Sequence, residues 1–229
     1  MNTCILSPTP SLFDSIAFYE KLDFEVLSTN NPTIVSDGTV VIEINTDRYA
    51  RAGVKLFSPD WKEMVLELEK ITKVIKITDG FALADPSGCW IYLIESQSII
   101  DMDLAQIKPS ALGNSAGLSL ETMDMELSFE IWQKLGFSTS MGSLGEGWIS
   151  LKNTDNLTIS LMRPLACPHL FFNPSLTYFN GEKNMEIIDH IRKIKIPITE
   201  EITYFNKENI ADNIIIRDPG GLGFFLFND

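Results

Sequence analysis

Histidine is nearly absent: the 229 residues hold two, His169 and His190. A metal centre built from converging imidazoles has little to draw on. Cysteine is also scarce. Cys4, Cys89 and Cys167 are odd in number and lack metal-type spacing, so small buried thiols in a reducing compartment are expected. Basic residues are outnumbered, 18 against 31 acidic, for a net charge of −13. That surface repels a phosphate backbone and an anionic bilayer, which argues against nucleic acid and membrane as partners. It tolerates a cationic small molecule, although acidic surfaces are common among cytosolic proteins. No apolar run reaches membrane length and no N-terminal stretch has signal-peptide form, so a cytoplasmic protein is expected. The glycines of 142–147 are not followed by the Lys-Ser/Thr that a phosphate loop needs.

What the chain does contain is a repeat. Residues 83–95 read LADPSGCWIYLIE and residues 216–228 read IRDPGGLGFFLFN. In each, an Asp-Pro-Ser/Gly-Gly turn delivers a final apolar strand. Two further pairs keep the same order: SIAFYEKLDFEVLS at Ser15 with SFEIWQKLGFSTS at Ser128, and VVIEIN at Val40 with LTISLM at Leu157. The offset grows along the chain, as duplication with insertions in the second copy would produce. Residues 96–114, rich in Ser, Pro and Gly, read as a connector with room for one short helix.

Each half divides again. A strand at Thr3–Ser7 precedes a helix opened by Ser11, with Asp14 three residues on. A second strand, Gly53–Ser58, precedes a helix whose Trp61, Met64, Val65, Leu68 and Ile71 fall on one stripe. In the second half, helices are expected from about Asp124 to Leu135 and over Asn184–Ile194, with final strands near 202–205, 212–217 and 222–228. Each quarter therefore reads β-α-β-β-β, and the fold class is α+β, with four βαβββ modules.

These residues resemble the vicinal oxygen chelate superfamily, which includes glyoxalase I, extradiol dioxygenases and bleomycin-resistance proteins. The matching parts are S-x-x-FY-x-x-L-x-F after the first strand, S-x-x-x-W-x-K-L-G-F in the third module, and the two D-P-x-G endings. The resemblance implies two glyoxalase-like domains related by a pseudo-two-fold, 1–98 and 114–229, joined by a linker at 99–113. It also implies sheets curled around concave clefts. Superfamily enzymes hold a divalent metal with His, Glu or Gln on first and last strands. The matching positions here are Cys4, Glu43, about Gly53 and Tyr92 in the first half. In the second they are Gly117, Ser160, Pro174 or Ser175, and Phe225. Of these only Glu43 is a family-type ligand, so no metal and no other cofactor is expected.

Strand alternation then fixes the cleft faces. Tyr92 shares its side with Trp90 and Ile94, Glu43 with Val41 and Asn45, and Phe225 with Gly223 and Phe227. Ser160 goes with Thr158 and Met162, and Gly117 with Ser119 and Glu121. The expected ligand-binding residues are Cys4, Glu43, Trp90, Tyr92, Ser119, Glu121, Ser160 and Phe225, a mixture that suits a small organic molecule of aromatic or cationic character. Three readings follow. The first is a metal-free small-molecule binding protein, in the manner of the antibiotic-sequestering members. The second is a lyase, isomerase or dioxygenase-type enzyme that uses Glu43 as base and Tyr92 as donor, or an unrecognised metal site. The third is a degenerate scaffold whose large side chains fill the old cavities. The apolar segment RPLACPHLFFNP at 163–174 either covers a cleft or packs between the halves. His190, among Ile188, Ile191 and Lys193, reads as a solvated helix residue. The internal duplication provides a dimer-like interface within one chain, so a monomer is expected.

Overall fold

The structure, a computed structural model, describes residues 3–97 and 104–229, so the expected linker falls partly outside the described residues. The first half runs β1 (Thr3–Pro8), α1 (Leu12–Lys21), β2 (Glu25–Ser28), β3 (Thr33–Ser36), β4 (Val41–Asn45), β5 (Gly53–Ser58), α2 (Lys62–Leu68), β6 (Ile75–Ile77), β7 (Gly80–Ala84) and β8 (Trp90–Glu95). The second runs β9 (Ser115–Glu121), α3 (Met125–Lys134), β10 (Ser138–Ser143), β11 (Trp148–Lys152), β12 (Thr158–Met162), β13 (Ser175–Phe179), α4 (Asn184–Lys193), β14 (Ile198–Ile202), β15 (Asn213–Arg217) and β16 (Gly223–Phe227). A short 3₁₀ turn lies at Leu104–Gln106 in the expected connector. The four βαβββ modules are therefore present.

Local chemistry sets the helix ends. Ser11 Oγ accepts from the Asp14 amide at 3.3 Å, and the Asp124 carboxylate accepts from the Leu127 amide at 3.0 Å. The repeated K-L-D/G-F motif ends both helices. Asp23 and Gly136 turn the chain with positive φ, 62° and 87°. The last edge strand lies earlier than the sequence indicates: β14 is Ile198–Ile202, not 202–205. Lys195, at φ 59°, ends the reversal after α4, and the acidic Ile-Thr-Glu-Glu-Ile run pairs antiparallel with β15.

Both halves have the same sheet. The orders are β2-β3-β4-β1-β5-β8-β7-β6 and β10-β11-β12-β9-β13-β16-β15-β14. Modules adjacent in sequence thus share a sheet, joined at the antiparallel pairs β1/β5 and β9/β13. The faces that carry the helices share one hydrophobic core, with buried residues from both halves. Phe18 and Tyr19 of α1 pack on Phe224 of β16, with ring centroids 5.8 and 6.2 Å apart.

The two sequence signatures meet across this core. Asp218, in the second Asp-Pro turn, holds its own turn through the Gly221 and Leu222 amides at 2.7 and 2.8 Å. Its other oxygen accepts from Ser7 and, at 2.9 Å, from the Tyr19 hydroxyl, both in the first half. In the first turn, Asp85 accepts from the Ser87 amide at 2.8 Å and from Ser128 of the second half at 3.1 Å. Tyr178 adds a third bridge, donating to Asp37 at 2.8 Å.

The two turns differ in one respect. Asp85 Oδ2 and Trp132 Nε1 are buried near each other but outside hydrogen-bonding geometry, and both are unpaired. Burial raises the Asp85 carboxyl above its ordinary 3.8. The folded protein therefore holds the proton more tightly than the unfolded chain. Asp85 imposes no penalty below the ordinary value and a growing one as pH rises through the raised value. Urea unfolding across about pH 4 to 7 is expected to show wild-type stability falling relative to Asp85→Asn as pH rises. Parallel profiles would exclude this.

Candidate functional site: two unlike clefts

The free face of each sheet forms a cleft, and the two differ in chemistry. In the first half, a row in register across the sheet joins Cys4, Lys55 and Tyr92, with Glu43 one row away. The Lys55 ammonium holds both Glu43 oxygens, at 2.7 and 2.6 Å, and Asn45 donates to the same carboxylate at 2.9 Å. Cys4 is buried with Ile34 and Val41 beneath Leu27, Phe57 and Leu104, and burial pushes its thiol far up. Trp90 and Tyr92 stack on each other at 6.3 Å, and the Tyr92 hydroxyl lies 3.2 Å from both the amide and the carbonyl of Arg51. The remaining space, about 870 Å³, is a polar trough that includes Glu43, Asn45, Asp47, Lys55 and Asp79. Of the residues expected to bind ligand in this half, Glu43 lines the trough, while Cys4, Trp90 and Tyr92 lie outside its lining.

Lys55 is a cleft-face residue that was not among the sequence candidates. Parity from Gly53 places it on the cleft face, and a lysine in the apolar strand GVKLFS was the available signal. Glu43 is 4% exposed at its side chain, so a lone charge there is unfavourable. Lys55→Met is expected to cost about 2 kcal/mol, and adding Glu43→Leu should recover most of it. Chemical denaturation of the single and double variants measures this. An equal loss in the double variant would show that the ion pair is not the cause.

In the second half the cleft is apolar and open, about 730 Å³. Its floor is a ladder of hydroxyls. Ser160, Ser119 and Ser175 stand in one row and Gly117, Thr177 and Phe225 in the next. Ser119 and Thr177 pair at 2.7 Å, and Ser150 and Ser160 at 2.5 Å. Phe225, Phe227, Phe171, Phe205 and Trp148 form the walls. The segment 163–174 covers this cleft, contributing Ala166, Cys167, Pro168, His169 and Phe171. Cys167 is only half-buried here, at the cleft wall, where burial raises its thiol to about 11. Ser119, Ser160 and Phe225 are brought together as expected. Glu121 lies outside the lining, with one oxygen buried and unpaired, and Asn173 fastens its backbone at 2.9 Å in both directions. His169 was not a sequence candidate. The aromatic density of its loop was the only signal. His190 is exposed on α4.

A divalent metal does not fit the residues present. Gly53 and Gly117 leave no room for a ligating side chain: a Cβ would stand 2.0 Å from the Trp90 carbonyl oxygen and 2.3 Å from that of Thr158. Glu43 is already neutralised by an ammonium that would repel a second cation. Among the described residues, no group of three His, Cys, Asp or Glu side chains converges.

Solved structures carry the same architecture. The chain aligns with homoprotocatechuate 2,3-dioxygenase of Arthrobacter globiformis at TM-score 0.57 and 14% identity, covering 98% of this chain and 78% of that one. A halotolerant catechol dioxygenase aligns at 0.53 and 12%, covering 98% and 85%. The Mn(II)-bound glyoxalase of Novosphingobium aromaticivorans aligns at 0.54 and 12%, covering 98% and 80%. No family sequence model matches the chain, and no curated protein matches it by sequence. The molecule thus shares the α+β fold of these dioxygenases and of the glyoxalase, the fold that the resemblance to the vicinal oxygen chelate superfamily implied. No helix among the described residues is long and apolar enough to cross a membrane.

Proposed function

We propose that the protein is a metal-free small-molecule binding protein and that its ligand lies in the second-half cleft. The observation that carries this is a 730 Å³ space walled by aromatic rings over a floor of hydroxyls. Such a space suits an apolar, aromatic body with a few polar groups. Lys152 and Asp229 in its lining balance each other in formal charge, which favours a neutral ligand over a cationic one. The scaffold reading expects filled cavities and has weaker support, because about 870 Å³ stays open in the first half and about 730 Å³ in the second. An enzyme using Glu43 as base has weaker support, because Lys55 occupies both carboxylate oxygens. The same reading takes the protein as a cytoplasmic monomer, since the helix-bearing faces of both sheets are already buried against each other.

A thermal-shift screen of small aromatic compounds tests the proposal. A ligand at a hundredfold its Kd adds about 2.7 kcal/mol, which for a chain of this size raises the midpoint by about 5–10 °C. No shift with any aromatic compound, while polar ones stabilise, would move the site to the first-half trough.

A further inference from the structure

This inference rests on the second-half cleft being the ligand site. We infer that His169 sets the ligand's chemistry: a neutral, flat, apolar molecule with one hydrogen-bond donor, which the ring's Nε2 accepts. His169 is buried, 9% exposed, with Phe225 and Phe227 at 5.0 and 5.1 Å and Phe171 and Phe205 at 6.1 and 6.3 Å. Its Nδ1 lies 2.7 Å from the Leu170 carbonyl oxygen. A carbonyl can only accept, so Nδ1 carries the hydrogen, and in the neutral ring Nε2 is left as an acceptor. Among the described residues Nε2 has no protein hydrogen-bond partner; it is not one of the fully enclosed unpaired atoms, so in the free protein water in the cleft reaches it, and a bound ligand displaces that water.

The rest of the site shows why this atom decides. The floor hydroxyls Ser119 and Thr177, and Ser150 and Ser160, bond to one another, so each pair uses one O–H within the floor and leaves the other to donate to a ligand, whereas Nε2 can only accept. The four rings packed against His169 are hydrocarbon. An unpaired acceptor in such surroundings discriminates strongly, because a ligand without a donor leaves it desolvated and unpaired. The aromatic walls select a flat ring. A single acceptor asks for a single donor, so adjacent chelating oxygens are not needed.

The matched probes are indole, which has one N–H, and 1-methylindole, which has none, titrated calorimetrically into the full-length protein and into His169→Phe. Methylation adds apolar surface, so burial alone would make 1-methylindole the tighter ligand. The expected result is the reverse: wild type prefers indole by about tenfold, and His169→Phe binds both with affinities within about twofold. His169→Gln, which restores an acceptor, should recover part of the preference. Binding of 1-methylindole to the variants shows that the cleft is still formed. If wild type binds both probes equally, or if His169→Phe keeps the preference, the role of His169 is overturned while the cleft reading stands. If wild type binds neither, the cleft reading fails and this inference fails with it.

Discussion

Phe224→Ala is expected to lower the unfolding free energy by about 3–5 kcal/mol, with the whole chain still melting in a single transition. Phe224 is fully buried on β16, yet its ring neighbours are Phe18 and Tyr19 of α1 in the other half. Removing the ring opens a cavity in a core that belongs to both sheets. Each half is also tied to the other through the buried carboxylates Asp85, Asp218 and Asp37. One half cannot lose its packing while the other keeps its own. Differential scanning calorimetry, with far-UV and near-UV circular dichroism as coincident probes, measures this. Two separated transitions, with only the second-half one displaced, would show that the halves are independent domains.

The second large effect concerns binding. Ser160→Phe is expected to reduce the affinity for an apolar aromatic probe by about 30- to 150-fold, because the new ring takes the place of the ligand's and removes about 2–3 kcal/mol of apolar burial. Ser160 faces the cleft from β12, and the space above it is open, so the ring can be accommodated without displacing the core. Ser150 loses its hydroxyl partner but stands beside the open cleft, so the cost to stability is about 1 kcal/mol. The contrast with Phe224→Ala is the point: one change removes stability and the other removes binding. Unchanged affinity in Ser160→Phe would place the ligand elsewhere.

The fold was legible in the chain because its signals are local and repeated. Ser11 and Asp124 open helices wherever they are placed, and each Asp-Pro turn delivers a strand. The repeats could not say that Asp218 reaches Tyr19 or that Asp85 reaches Ser128. Those contacts depend on how two whole sheets are stacked. Strand parity correctly put Glu43, Ser119, Ser160 and Phe225 on cleft faces. Parity cannot say what stands above a face. Lys55 covers Glu43, Leu104 from the connector closes over Cys4, and the loop at 163–174 brings His169 over Phe225. Loops and long polar side chains carry no period, and they are what distinguishes one cleft from the other. Gly53 and Gly117 illustrate a further limit. In sequence they read as vacated ligand positions, whereas in the sheet they are places where a neighbouring strand's carbonyl comes too close for any side chain.

The most direct test of the account is a two-dimensional amide NMR titration with 1-methylindole, which carries no donor and so does not depend on His169. The account expects saturable shifts at Ser119, Ser150, Ser160, Thr177 and Phe225, with the amides around Glu43 and Lys55 unmoved. Shifts gathered around Glu43, Lys55 and Asn45, with the second-half strands silent, would contradict it.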